Sequence, residues 1–151
     1  MKYIVRVATS NDYKYAETIA DEMAYSAARR GTGIARRTSD YIKDKIDHEL
    51  AVIAVNPDNG DWVGFCCIEA WSHERYIANT GLIVSPQYRN LGVSTEIKKV
   101  LFDLGRKKFP VATIFSLSTS PAVIHTNTLL GYRTVSFDEI LTDPLFTEGC
   151  H

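Results

Sequence analysis

Residues 82–108 carry the types and spacing most able to do chemistry. An apolar triplet, Leu82-Ile83-Val84, runs into Ser85-Pro86-Gln87-Tyr88-Arg89-Asn90-Leu91-Gly92, and a helical pattern opens at Val93. The order is strand, glycine turn, helix. Gly92 has no Cβ, so its backbone reaches angles that other residues avoid and lets a ligand come close. The first amides of a helix have no intrahelical acceptor, and the helix dipole favours an anion there. The chemistry these residues suit is therefore the binding of a phosphate group. Two familiar phosphate sites do not fit. A dinucleotide fingerprint needs three glycines after an early strand, and a P-loop needs Gly-Lys-Ser or Gly-Lys-Thr at the turn. Here a single glycine stands late in the chain, and Val93-Ser94 follows it without a lysine.

The elements that must hold this turn can be read along the chain. Residues 3–7 alternate as a strand. Thr9 or Ser10 can cap the helix that follows, with Asp12 in its first turn. Tyr13, Ala16, Ile19, Ala20, Met23 and Ala27 keep helical spacing to about Arg30, before Gly31. Thr38 or Ser39 can cap a second, shorter helix containing Ile42 and Ile46. Residues 50–55 form a short apolar strand, Asn56-Pro57-Asp58-Asn59-Gly60 a turn, and residues 62–71 the return strand of a hairpin. A second turn at Ser72-His73-Glu74-Arg75 leads into a strand over 76–84.

The helix from Val93 carries Val93, Ile97, Val100, Leu101 and Leu104 on one stripe, with Arg106, Lys107 and Lys108 at its end and Pro110 as its stop. Residues 111–117 read as a strand, 121–130 as a last helix and 132–137 as a final strand. Residues 138–151 give no clear element. An antiparallel meander followed by alternating helix and strand predicts a single α/β (α+β) domain over 1–151. Its sheet is mixed and mainly antiparallel, of six or seven strands, with helices on both faces.

Composition narrows the function classes. The 151 residues are 45% hydrophobic and 23% charged, which excludes a disordered chain. A formal net charge of −1 argues against a general nucleic-acid binder. No apolar run reaches the roughly 20 residues a spanning helix needs, and the N-terminus has no signal-like stretch. No membrane association is expected, and the expected location is cytoplasmic. Cys66 and Cys67 alternate across a strand and have neither redox nor zinc spacing, so they read as small buried hydrophobes. No metal site is expected, Cys150-His151 included.

Val84-x-Pro86-x-Tyr88-Arg89-x-x-Gly92-x-Ser94, leading into an amphipathic helix, resembles the acetyl-coenzyme A motif of the GNAT N-acetyltransferase superfamily, Arg/Gln-x-x-Gly-x-Gly/Ala. Ser94 stands where that motif has Gly or Ala. The element order over about 3–137 is similar too, as is Gly131-Tyr132-Arg133 after a helix. The resemblance implies acetyl-coenzyme A as co-substrate. Amides of Asn90, Leu91, Gly92, Val93, Ser94 and Thr95 would cradle its pyrophosphate. The strand Leu82-Ile83-Val84 would splay from the 111–117 strand and bind pantetheine as an added strand would. Ser118, with Thr119 and Ser120, lies where the family makes polar pantetheine contacts.

Acyl transfer to an amine needs a proton acceptor, a polarised carbonyl and a thiolate that can leave. The amide of Val84 or Ile83 is the candidate for the carbonyl. The family's usual thiolate acid is a tyrosine four residues before the glycine of the final strand, and here that position is Asn127. Asn127 can donate a hydrogen bond but not a proton. His125, nearby, titrates in a useful range. Glu69, on a strand, is the candidate base, with Glu74 as a neighbour. Tyr25 and Tyr76 are further candidates to face the cleft.

Residues 23–39 hold Arg29, Arg30, Arg36 and Arg37 and no acid. In the family this region covers the acceptor. Arginines suit carboxylates, so the expected acceptor is a small amine, acidic or amino-acid-like. The glutamate-acetylating branch fits that pattern. A solvated basic loop, or one facing the adenosine 3′-phosphate, is the plainer reading. The family normally finishes on a long strand paired with the one that begins at Tyr132, and residues 138–151 offer no obvious candidate for it. A non-catalytic acyl-coenzyme A-binding domain is the alternative function, motivated by Asn127 and by that missing strand. A protein-acetylating enzyme is a third. The open sheet edge left by that missing strand leads us to expect a homodimer.

Overall fold

A computed structural model describes residues 2–30, 38–71 and 76–115. Strand β1 (Ile4–Val7) is followed by a 3-10 turn (Ser10–Tyr15) and helices α1 (Ala16–Arg30) and α2 (Ser39–Asp47). Then come β2 (Ala51–Val55), β3 (Trp62–Trp71), β4 (Tyr76–Val84), a 3-10 turn (Pro86–Tyr88), α3 (Val93–Lys108) and β5 (Thr113–Phe115). The sheet runs β1-β2-β3-β4-β5 in chain order. The first three pairings are antiparallel and β4–β5 is parallel. The described residues thus hold five strands of the mixed, mainly antiparallel sheet. The expected helix over 121–130, the strand over 132–137 and the tail lie outside them.

Period-two alternation in β2 and β3 decides which helix packs where. Ala51, Ile53, Val55, Phe65 and Cys67 face one core with Ile19, Ile42 and Ile46 of α1 and α2. Val52, Ala54, Val63, Cys66 and Ile68 face the other core, with Val93, Ile97 and Leu101 of α3. Helices therefore cover both faces, as expected. Each of the Val, Ile, Leu and Phe side chains among them, fully buried, contributes about 2 kcal/mol. Cys66 and Cys67 are buried on opposite faces, and burial pushes the Cys66 thiol well above its ordinary value.

Helix α3 lies unusually close to the sheet at its first turns. A Cβ on Gly64 of β3 would stand 2.7 Å from Ile97 Cδ1, 3.2 Å from Val93 Cγ1 and 3.3 Å from the Ile83 carbonyl. Only hydrogen fits there, and the start of α3 is thereby seated beside the end of β4.

Two boundaries differ from the sequence reading. The first helix opens as a 3-10 turn, because Asp12 is drawn inward. Its carboxylate takes two hydrogen bonds from Arg6, at 2.7 and 2.9 Å, and one from the Thr9 amide at 2.8 Å. The last described strand begins at Thr113 rather than 111. Arg106 donates to the Ala112 carbonyl at 2.7 Å and the Ala112 amide donates to Phe109 at 3.1 Å, so this stretch is held as a turn. Val111 is left exposed.

Asp12 makes stability depend on pH. Burial raises its carboxyl, but the Arg6 and Thr9 hydrogen bonds outweigh burial and hold it below the ordinary carboxylate value. A depressed native value adds stability that is complete above the unfolded value, about 3.9, and is lost as pH falls through the lower native one. Asp12→Asn should cost about 2 kcal/mol at neutral pH. Urea titrations from pH 7 to pH 3 should show the gap between variant and parent closing only at the acid end. Gly64→Ala should cost about 1–3 kcal/mol through overpacking, read as a lower urea midpoint.

Candidate active site

Between β4 and α3 the backbone takes two left-handed steps, at Asn90 (φ 65°) and Gly92 (φ 79°, ψ 10°). Among the described residues the amides of Val93, Ser94 and Thr95 have no acceptor. The first α3 amide that has one is that of Glu96, which donates to the Gly92 carbonyl at 3.2 Å. These are the free donors of a helix N-terminus, with the positive end of the dipole behind them. The space a Cβ on Gly92 would enter holds only the Tyr3 hydroxyl, 4.0 Å away. Donors of this kind suit an anion.

Three side chains hold the turn from different directions. The Tyr88 hydroxyl, fully buried, accepts from Asn56 Nδ2 at 3.0 Å and donates to Asp61 Oδ2 at 3.3 Å, tying the turn to the β2–β3 hairpin. Asn56 is buried, and its own oxygen caps that hairpin through the Asp58 amide at 2.9 Å. Arg89 reaches back: Nε donates to the Val84 carbonyl at 3.3 Å and Nη2 pairs with Glu22 of α1 at 3.2 Å. Tyr3 donates to the Leu91 carbonyl at 3.3 Å. Arg89 is therefore a brace between α1 and β4, not a free loop arginine.

Strand β4 carries a feature the sequence reading missed. Phe65 pairs with Ile83 but Cys67 pairs with Thr80, so Cys66 alone faces Gly81 and Leu82. This is a β-bulge, and Gly81 sits at φ 71°. An isolated glycine inside a strand pattern is the signal that would have found it. Beyond the bulge the Ser85 amide donates to the Val63 carbonyl at 2.7 Å. By strand alternation Ile83 also turns its main chain toward β3, while Leu82 and Val84 turn theirs away. Of the two amides proposed to polarise a carbonyl, that of Ile83 is thus committed within the sheet, and that of Val84 remains. Among the described residues, β5 pairs with Tyr76, Ile77 and Ala78.

Glu69 lies on the α1/α2 side of β3, opposite Ala78. Its Oε1 accepts from the Tyr41 hydroxyl and lies 3.1 Å from Lys45 Nζ. The carboxylate is about two-fifths exposed. The structure thus gathers Leu82, Ile83, Val84, Arg89, Asn90, Leu91, Gly92, Val93, Ser94 and Thr95 at one end of β4. Glu69 stands one strand away, on β3 opposite Ala78. Tyr25 is exposed on α1 and Tyr76 is buried in β4. Ser118, His125, Asn127, Glu74, Arg36 and Arg37 lie outside the described residues. So do the side chains of Arg29 and Arg30, at the end of α1.

The family model described as acetyltransferase (GNAT) family matches residues 22–128, from α1 through the turn and α3. The chain belongs to the GNAT acetyltransferase family. No curated protein is a significant match in sequence. Solved structures match in fold. N-acetylglutamate synthase from Neisseria gonorrhoeae, complexed with coenzyme A and N-acetyl-glutamate, is 20% identical with a TM-score of 0.67. That match covers 92% of this chain but 30% of the Neisseria one, so the chain spans under a third of that enzyme. Rv2747 from Mycobacterium tuberculosis, in complex with CoA and NLQ, is 17% identical with a TM-score of 0.65, over 93% of this chain and 82% of that one. An aminoglycoside acetyltransferase from an uncultured soil metagenomic sample is 23% identical with a TM-score of 0.64, over 91% and 95%. No described helix of this GNAT chain is long and apolar enough to cross a membrane.

Gly92→Val should weaken coenzyme A binding at least tenfold by calorimetry, because a branched side chain both opposes positive φ and fills the cradle. Tyr88→Phe leaves Asn56 and Asp61 without their shared partner and should cost about 1–3 kcal/mol, seen as a lower melting temperature.

Proposed function

We propose that this chain transfers the acetyl group of acetyl-coenzyme A to the primary amine of a small, acidic or amino-acid-like acceptor. The observation that carries the reading is the left-handed Gly92 turn joining the outward-facing edge of β4 to the free amides of α3. That junction can hold a diphosphate at one end and an extended amide arm along Leu82 and Val84 at the other.

Each residue has an assigned part. Glu69 takes a proton from the acceptor amine, directly or through one water. The nitrogen then bonds to the acetyl carbon, the carbon–sulfur bond breaks, and its electron pair leaves on the coenzyme sulfur. The Val84 amide polarises the acetyl oxygen. Asn127 donates a hydrogen bond near the leaving sulfur and His125 stands by as its proton source, while Ser118 contacts the pantetheine arm. Arg29, Arg30, Arg36 and Arg37 recognise the acceptor's carboxylate. The fold likeness to N-acetylglutamate synthase supports an amino-acid acceptor, and the likeness to an aminoglycoside acetyltransferase shows that this fold also serves other amines. The reading includes a homodimer in the cytoplasm.

Free-thiol release from acetyl-coenzyme A, measured against a panel of amino acids, polyamines, aminoglycosides and peptides, tests the proposal. Turnover should be fastest with an acidic amino acid. Charge-removing substitution of Arg36 and Arg37 should raise the acceptor KM without changing coenzyme affinity. An equal loss of coenzyme affinity would assign these arginines to the nucleotide. Tight coenzyme binding with no turnover across the panel would favour a non-catalytic acyl-coenzyme A-binding domain. Glu69→Gln should lower kcat by about 10²–10⁴-fold, the usual share of a general base.

A further inference from the structure

Helix α2 presents Tyr41 and Lys45 one turn apart, so both side chains leave the same face. Both end on one oxygen of Glu69. The Tyr41 hydroxyl donates to Oε1, and Lys45 Nζ lies 3.1 Å from that same atom. Lys45 is not a surface partner swinging in water. It is 7% exposed, donates to the Ile68 carbonyl at 2.8 Å, and stands 5.6 Å from the centre of the Tyr41 ring. Its ammonium is therefore located by the backbone of β3 as well as by the carboxylate. Glu69 Oε2, by contrast, takes no hydrogen bond from the described residues, on a side chain that remains 41% exposed.

The position on the sheet gives this asymmetry a use. Glu69 pairs with Ala78, the last β4 residue that pairs with β5. The carboxylate thus stands one strand, about 5 Å, from the β4 backbone that runs on to Leu82, Ile83 and Val84. We propose that Tyr41 and Lys45 are positioning residues that clamp Glu69 by Oε1 and turn Oε2 toward the incoming acceptor amine. The clamp rests on the reading of Glu69 as the base. It means that α2, the helix that follows the arginine-bearing segment, sets the direction in which the proton is taken.

The clamp makes a demand that simple structural packing does not. In Lys45→Met the stem still packs but the ammonium that holds Oε1 is gone, so kcat should fall several-fold with coenzyme A affinity unchanged. Lys45→Arg should return kcat toward the parent. Tyr41→Phe should lower kcat several-fold, with coenzyme A affinity unchanged.

Parental kcat in both Lys45→Met and Tyr41→Phe overturns the clamp and leaves the base assignment standing if Glu69→Gln is inactive. Full activity of Glu69→Gln removes the base assignment itself. Should Lys45→Met fail to fold, Tyr41→Phe carries the comparison, and a parental kcat in it overturns the clamp.

Discussion

Free amides at the start of a helix are useful to a ligand only if the chain before them cannot fold back and satisfy them. That constraint organises this molecule. Gly92 and Asn90 in left-handed conformations swing the chain away from the first turn of α3. Tyr88, Arg89 and Tyr3 then pull the turn toward the hairpin, α1 and the Leu91 carbonyl. A turn held from three sides keeps its donors exposed and already oriented. Binding there need not order the loop first, and ordering is one of the main costs of association.

The same constraint explains why the core is divided as it is. Helix α3 must sit close enough for its first amides to adjoin the end of β4, and Gly64 is the place where the sheet yields that space. The opposite face is left to α1 and α2, which bring Glu22 to Arg89 and Tyr41 and Lys45 to Glu69. One face of the sheet therefore seats the anion cradle, and the other supplies the carboxylate with its partners. Between them runs β4, whose bulge at Gly81 sets which main-chain groups point outward.

Much of this was legible in the residues. The glycine turn between an apolar triplet and an amphipathic helix is local chemistry. Spacing alone reveals it, because backbone angles and helix periodicity depend on near neighbours. The Thr38 cap, the Asn56–Gly60 turn and the Cys66/Cys67 alternation are legible for the same reason. The bulge was less so, since a lone glycine in a strand signals irregularity without saying which partner residue it faces. The start of β5 was misplaced because Arg106, six residues before Ala112, captures that residue's carbonyl.

By itself, then, the sequence determined the order of elements, the position of the anion turn and the identity of Glu69 as a strand carboxylate. These are properties of short windows, in which sterics and hydrophobic period act directly. Only the tertiary structure decided that Arg89 braces α1, that the Ile83 main chain is spent inside the sheet, and that Tyr41 and Lys45 meet on one oxygen of Glu69. Those facts join residues 18 to 67 positions apart. Their contacts exist because two packed helix layers and a bulged strand bring distant segments within hydrogen-bond reach.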